Sequence, residues 1–269
     1  MAVDSGQSGR AAEAVKSCCA AAYQSDAVAL ILGDSYHPGG LALTRRLADV
    51  LRLRDGQRVL DVAAGTGTSA LLLAEEFGVR VDGVDLGERS VATATRAADN
   101  AGLADRVRFR VGDAERIPFP DNTFDAVVCE CAFCTFPDKA TAATELARVL
   151  KPGGRLGITD VTVAPGGLPP ELAGLTGWVV CLADARPVDE YAAMLAAAGL
   201  RATARETHNE ALARMVTQID ARLRAYRLMR LPALSDVDID HALELTAQAA
   251  RAVATGSAGY ALLIAEKPA

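Results

Sequence analysis

The chain has 269 residues, 51% of them hydrophobic and only 4% aromatic, with a formal net charge of −6 at pH 7. That length suits one large α/β domain, alone or with a sizeable cap, and is enough to bury a core of Leu, Val and Ala. An acidic balance without a basic cluster argues against nucleic acid as a partner, since phosphates need a positive surface, and no apolar run reaches the ~18 residues of a membrane span. Residues 1–10 lack a basic stretch followed by an apolar one, so no signal peptide is read and the expected location is the cytoplasm. The six cysteines are then expected to be free thiols. Cys18 and Cys19 are adjacent, Cys129, Cys131 and Cys134 are close together, and Cys181 stands alone.

In chain order, residues 1–12 are small and polar, and 13–32 show helical spacing. Gly33-Asp-Ser-Tyr-His-Pro-Gly-Gly40 breaks that pattern, and a helix follows over 41–51. The short apolar run 58–62 predicts a first strand, central and parallel, followed by a helix over 66–77. Strands are expected at 80–85, 107–111, 124–130 and 155–160, with helices over 88–101, ended by Gly102, and 138–150. Five strands separated by helices imply a doubly wound, mostly parallel sheet. Beyond a Gly- and Pro-rich loop at 165–170, helices are expected at 189–198, 209–230 and 236–254, and strands at 200–206 and 260–266. The last strand is expected to run antiparallel, at or near an edge.

Val59-Leu-Asp-Val-Ala-Ala-Gly-Thr-Gly-Thr-Ser-Ala70 joins the first strand to its helix by a turn of small residues. Such a turn exposes backbone N–H groups to a ligand at a helix N-terminus. Gly65-Thr-Gly67-Thr-Ser-Ala70 fits the dinucleotide pattern as well as it fits other cofactors. Asp85 ends the second strand 18 residues after Gly67, near the ~20 expected of a ribose-binding carboxylate. On structural grounds alone, Asp85 could instead cap the next helix, Asp113 could serve a turn, and Asp61 could orient the glycine loop.

With this turn and Asp85, two further stretches decide between cofactors: Gly112-Asp-Ala-Glu-Arg-Ile-Pro-Phe-Pro-Asp-Asn-Thr-Phe-Asp125 and Arg148-Val-Leu-Lys-Pro-Gly-Gly-Arg-Leu156. In this order they resemble the class I S-adenosylmethionine-dependent methyltransferases, over roughly Gly56 to Leu200. Ala63 stands where that family usually has its first glycine. The resemblance implies a seven-stranded Rossmann-like core over 56–206 and 257–269, to which the chain's own helical pattern adds an N-terminal segment over 1–55 and an insertion over 207–256, in a single domain. It implies a cofactor site at Asp61, Ala63, Gly65, Thr66, Gly67, Asp85, Leu86, Asp113, Ala114 and Glu130, with Asp85 on the ribose and Asp113 and the following N–H at the adenine. Residues 1–55 are expected to close over the bound cofactor, with the Gly33–Gly40 loop as hinge or lid.

Phe124-Asp-Ala-Val-Val-Cys-Glu-Cys-Ala-Phe-Cys-Thr-Phe-Pro-Asp-Lys139 and Gly177-Trp-Val-Val-Cys-Leu-Ala-Asp-Ala185 look like the arsenite methyltransferase branch of that family. That likeness places arsenic ligands at Cys131 and Cys181, with Cys18 and Cys19 as a further thiol source, and implies methylation of trivalent arsenic held by thiolates. No base is then needed. Two other readings stand beside it. One is an O-, N- or C-methyltransferase for an ordinary small molecule, with His37 or His208 as base and the cysteines in the core. The other is a thiol-rich metalloid-binding protein without turnover. His241 is read as a surface residue. The expected state is a monomer or weak homodimer.

Overall fold

The computed structural model describes residues 16–17, 21, 23–33, 36–168, 184–229, 234 and 237–269. The helices are α1 (Asp26–Leu32), α2 (Gly40–Leu51), α3 (Thr68–Phe77), α4 (Glu88–Asn100), α5 (Lys139–Val149), α6 (Val188–Ala197), α7 (Asn209–Met229) and α8 (Ile239–Ala254). The strands are β1 (Arg58–Val62), β2 (Arg80–Asp85), β3 (Val107–Val111), β4 (Phe124–Glu130), β5 (Leu150–Val163), β6 (Arg201–Thr207) and β7 (Ala258–Glu266). They form one seven-stranded sheet in the order β3-β2-β1-β4-β5-β7-β6. Neighbours from β3 to β5 pair in parallel, and β7 runs antiparallel between β5 and β6. This is the Rossmann-like sheet with flanking helices that the sequence predicts.

Burial follows position in the sheet. The central β1 and β4 are almost wholly buried, as strands covered on both faces must be. The edge strand β6 alternates exposed and half-buried residues. Expected and observed bounds differ where local geometry intervenes. β5 is much longer than the predicted 155–160. It skips over Lys151–Gly154, so that Phe124 pairs with Leu150 and Ala126 with Arg155, and β7 then extends the pairing to Val163. α3 starts two residues later than predicted, because Gly67 is left-handed at φ 83° and ends the turn just before Thr68.

Gly67 is held to glycine by packing. A Cβ there would lie 2.6 Å from Phe109 Cζ and 2.9 Å from Ala94 Cβ, and one at Gly83 would lie 2.3 Å from Phe109 Cδ1. The Phe109 ring therefore packs where two glycines leave room for it, under the turn between β1 and α3. At the other end of the sheet, α7 and α8 pair and bury Leu223, Ala242 and Leu243, with Ile31 of α1 packed against them. Arg222 Nη1 donates to the Ile31 and Leu32 carbonyls at 3.1 and 2.6 Å, and Tyr226 donates to Leu30 O at 3.0 Å. These bonds satisfy carbonyls at the end of α1 and fix it to α7.

Gly65 and Gly67 separate conformation from packing. Gly65 is also left-handed, at φ 54°, but nothing lies within 4 Å of a Cβ built on it. Gly67→Ala is expected to cost about 2–4 kcal/mol, from its backbone conformation plus the clash. Gly65→Ala should cost about 1–2 kcal/mol. Urea unfolding of the two variants checks this, and equal losses would contradict it.

Candidate active site

Strand register brings three carboxyl groups to one place. Asp61 of β1 pairs with Gly83 of β2 and with Val128 of β4. Asp85 and Glu130 each lie two residues further along their strands, so with a side-chain period of two all three acids share a face of the sheet. They stand at the carboxyl ends of adjacent parallel strands, on either side of β1 where the strand order reverses, the place where open α/β sheets bind ligands.

Each acid has different surroundings. Asp85 accepts from the Gly65 and Gly87 N–H groups, both at 2.8 Å, and so pins the loop. Burial raises its pKa against the pull of those two bonds. Glu130 accepts from Ser69 Oγ at 2.6 Å and Thr44 Oγ1 at 3.0 Å. Asp61 is 3% exposed, and its Oδ2 has no hydrogen-bond partner. Burial, reinforced by the charges of Glu130 and Asp85, pushes its carboxyl well above the usual carboxylate range. Three acids and one orphaned buried oxygen beside one cavity suit a cationic ligand.

That cavity has a volume of ≈170 Å³. Of the residues singled out in the sequence, Asp61, Ala63, Gly65, Thr66, Asp85, Leu86, Asp113, Ala114, Glu130 and Cys131 line it. Gly67 does not, and its place is explained by Phe109. Ala63 takes a left-handed conformation at φ 60°, which accounts for the glycine expected at that position and costs an alanine about 1–2 kcal/mol. Asp113 closes a turn by accepting from Glu115 N at 2.9 Å, and its other oxygen accepts from Lys16 Nζ at 2.8 Å. Lys16 also pairs with Glu115. Burial opposes its charge, but the two carboxylates keep its pKa above the ordinary lysine value.

The comparisons with known proteins agree with this geometry. A methyltransferase-domain family model matches residues 60–158. The 27-O-demethylrifamycin SV methyltransferase of Amycolatopsis mediterranei is 33% identical over 229 residues, covering 84% of this chain and 83% of that protein. The chain belongs to the S-adenosylmethionine-dependent methyltransferases. Among solved structures, the [4+2]-cyclase SpnF is 29% identical with a TM-score of 0.71, covering 84% of this chain and 81% of that one. Phosphoethanolamine N-methyltransferase 2 of Haemonchus contortus, solved with S-adenosylhomocysteine, shares the fold at 24% identity and a TM-score of 0.76, over 90% of this chain and 56% of that one.

The methyltransferase has a second cavity, of ≈440 Å³, that meets the first at Tyr23, Tyr36 and Cys131. The two tyrosine rings lie 6.4 Å apart. Cys131 is half-buried and left-handed at φ 55°, with its N–H donating to Thr159 O at 2.6 Å. A non-glycine residue held in that conformation at a site marks stored strain. Cys129 and Cys134 are fully buried. Burial pushes the Cys129 thiol well above its usual pKa, and the Cys134 N–H donates to Asp160 Oδ2 at 2.9 Å, so both belong to the core. Cys18, Cys19 and Cys181 lie outside the described residues.

His37 lines the cofactor cavity, with Nε2 3.8 Å from Glu130 Oε2 and Nδ1 3.4 Å from Pro38 O. His208 lines neither cavity. Its Nε2 lies 3.1 Å from Glu206 Oε2, and the structure does not bring it to the site. His241 is on the surface near Glu244. Lys16, Tyr23, Tyr36, Thr44 and Ser69 were not singled out from the sequence. Thr44 left a trace: it is a polar residue on the buried stripe Leu43, Leu47 and Leu51 of α2. No described helix is long and apolar enough to cross a membrane.

The strain at Asp61 gives a pH-dependent prediction for the cofactor-free protein. A carboxyl whose pKa is raised on folding contributes fully below its ordinary value of about 3.9, and that contribution is lost as pH rises through the raised value. Asp61→Asn removes the loss. The variant should therefore gain a few degrees of Tm over the parent at alkaline pH, with the gap closing in acid. Thermal melts across pH check this, and a pH-independent loss of Tm would contradict it.

Proposed function

We propose that this methyltransferase acts on a small organic acceptor held in the second cavity, with the cofactor in the first. The carrying observation is that the two cavities adjoin, sharing Tyr23, Tyr36 and Cys131 in their linings. In this reading Asp61 and Glu130 face the positive end of S-adenosylmethionine, Asp85 takes the ribose hydroxyls, Asp113 and the Ala114 N–H edge the adenine, and Leu86 flanks it. Gly65 and Thr66 offer backbone. The fit rests on the donor set: three acids suit a ligand that is cationic at sulfur and nitrogen and carries no phosphate. When bound, S-adenosylmethionine supplies a methyl group on a positively charged sulfur.

The chain's own part is to align the acceptor, exclude water and manage a proton. His37 is placed to take that proton at Nε2, where the Glu130 carboxylate stabilises the resulting cation and Pro38 O accepts from Nδ1. Thr44 and Ser69 hold Glu130 in position by donating to it. The described part of the N-terminal segment acts as a cover in the same reading, with Lys16 bonded to Asp113 and Glu115 at the cofactor cavity.

Arsenic as acceptor draws less support. That chemistry asks for two or three thiolates at one point. Among the described cysteines, Cys131 alone lines the seam, and no described group of His, Cys, Asp and Glu is arranged to hold a metal ion. The rifamycin and phosphoethanolamine methyltransferases reported above are named for organic substrates.

Release of S-adenosylhomocysteine separates the readings. With neutral phenols and alcohols as acceptors, His37→Gln should lower kcat by about 100-fold, a loss far larger than any change in cofactor affinity. Cys131→Ser should retain turnover. If release depends on arsenite and stops in Cys131→Ser, the arsenic reading replaces this one.

A further inference from the structure

The second cavity carries information about what enters it. Its walls come from α1, α7 and α8, through side chains such as Ile31, Met215, Ile219, Leu245, Ala249 and Val253. No residue with a formal charge lies among the described residues that line it. Two of its polar residues spend their hydroxyls on the protein itself. Ser25 Oγ accepts from Val28 N at 3.2 Å as the cap of α1, and Thr246 Oγ1 donates to Leu243 O at 2.9 Å. The remaining polar groups, on Tyr23, Tyr36 and Cys131, sit together at the seam with the cofactor cavity. Burial raises the pKa of Tyr36, so at neutral pH it is a phenol that can donate a hydrogen bond.

Resting on the two-cavity reading above, we infer that the acceptor is a large, uncharged, predominantly apolar molecule with its polar, methyl-accepting end at the tyrosine seam. The cavity's ≈440 Å³ falls within the ~300–1,000 Å³ of sites that enclose drug-sized ligands. An acceptor carrying phosphate or ammonium would lose its hydration against described walls that offer no counter-charge, a cost that apolar contacts do not offset. A small polar acceptor would leave most of the wall uncovered. An apolar body gains from every wall, and its one polar group finds partners only where the methyl group must arrive. The α7–α8 pair therefore sets specificity, and α1, bonded to α7 through Arg222 and Tyr226, closes the cavity on the acceptor.

The test uses the full chain loaded with S-adenosylhomocysteine. Nile red, a neutral apolar dye, reports the second cavity by fluorescence, and calorimetry reports the cofactor product separately. The parent should bind both. Ala249→Phe, which fills the cavity from α8, should weaken Nile red by about tenfold or more without changing S-adenosylhomocysteine affinity. Ala249→Ser, close in size, should leave both within about twofold. Phosphoethanolamine and inorganic phosphate should not displace the dye. The inference is overturned if the loaded parent does not bind Nile red, if either anion displaces it, or if Ala249→Phe has no effect on it. A parent that binds Nile red but not S-adenosylhomocysteine would instead overturn the cofactor assignment, and the acceptor inference with it.

Discussion

Three carboxyl groups forced together by strand register, around a loop of Ala, Gly and Thr that carries no basic residue, are the constraint from which the rest of this site follows. Parallel pairing puts Asp85 and Glu130 beside the end of β1, and Asp61 lies between them with one buried oxygen unpartnered. In a folded protein such a cluster is costly unless something repays it. Part of the repayment is internal: backbone N–H groups for Asp85, hydroxyls for Glu130 and a raised pKa for Asp61. The remainder falls to a ligand that brings positive charge. The methyltransferase family supplies one in S-adenosylmethionine.

The glycine loop and the helical cover serve this cluster in different ways. Gly65 leaves open space at the cofactor cavity, whereas Gly67 gives way to Phe109 below and lets α3 start where Ser69 can reach Glu130. Ala63 and Cys131 keep left-handed backbones at the ends of β1 and β4, where glycine would cost less. Both line the cofactor cavity, so local strain and ligand contact coincide. On the far side of Cys131 the environment changes from acidic to apolar within a few residues. The proposed division between a charged cofactor and an uncharged acceptor rests on that contrast.

Much of this was legible in the sequence because its signals are local. Apolar runs and Gly stops gave the parallel sheet, and the resemblance to class I methyltransferases gave ten candidate cofactor residues, nine of which line one cavity. Gly67 misled because a glycine in a nucleotide-binding pattern looks the same whether it faces a ligand or a Phe109 ring forty-two residues away. Thr44, Ser69 and Lys16 were missed because their roles depend on long-range contacts, such as the 86-residue separation between Thr44 and Glu130. The second cavity was out of reach for the same reason. α7 and α8 are separately unremarkable amphipathic helices, and only their packing with α1 creates an apolar chamber. The cysteine pattern drew attention to Cys131, which does stand at the seam, but spacing could not tell a metalloid ligand from a strained residue between two cavities.

The account stands on burial raising the Asp61 pKa in the cofactor-free protein and on the cofactor's positive charge lowering it again. Calorimetric titration with S-adenosylmethionine near neutral pH, in buffers of different ionisation enthalpy, measures that directly. The predicted result is net proton release on binding by the parent, visible as heat that scales with buffer ionisation, and its disappearance in Asp61→Asn together with weaker binding. Binding heat independent of buffer in the parent, or unchanged release and affinity in the variant, would contradict it.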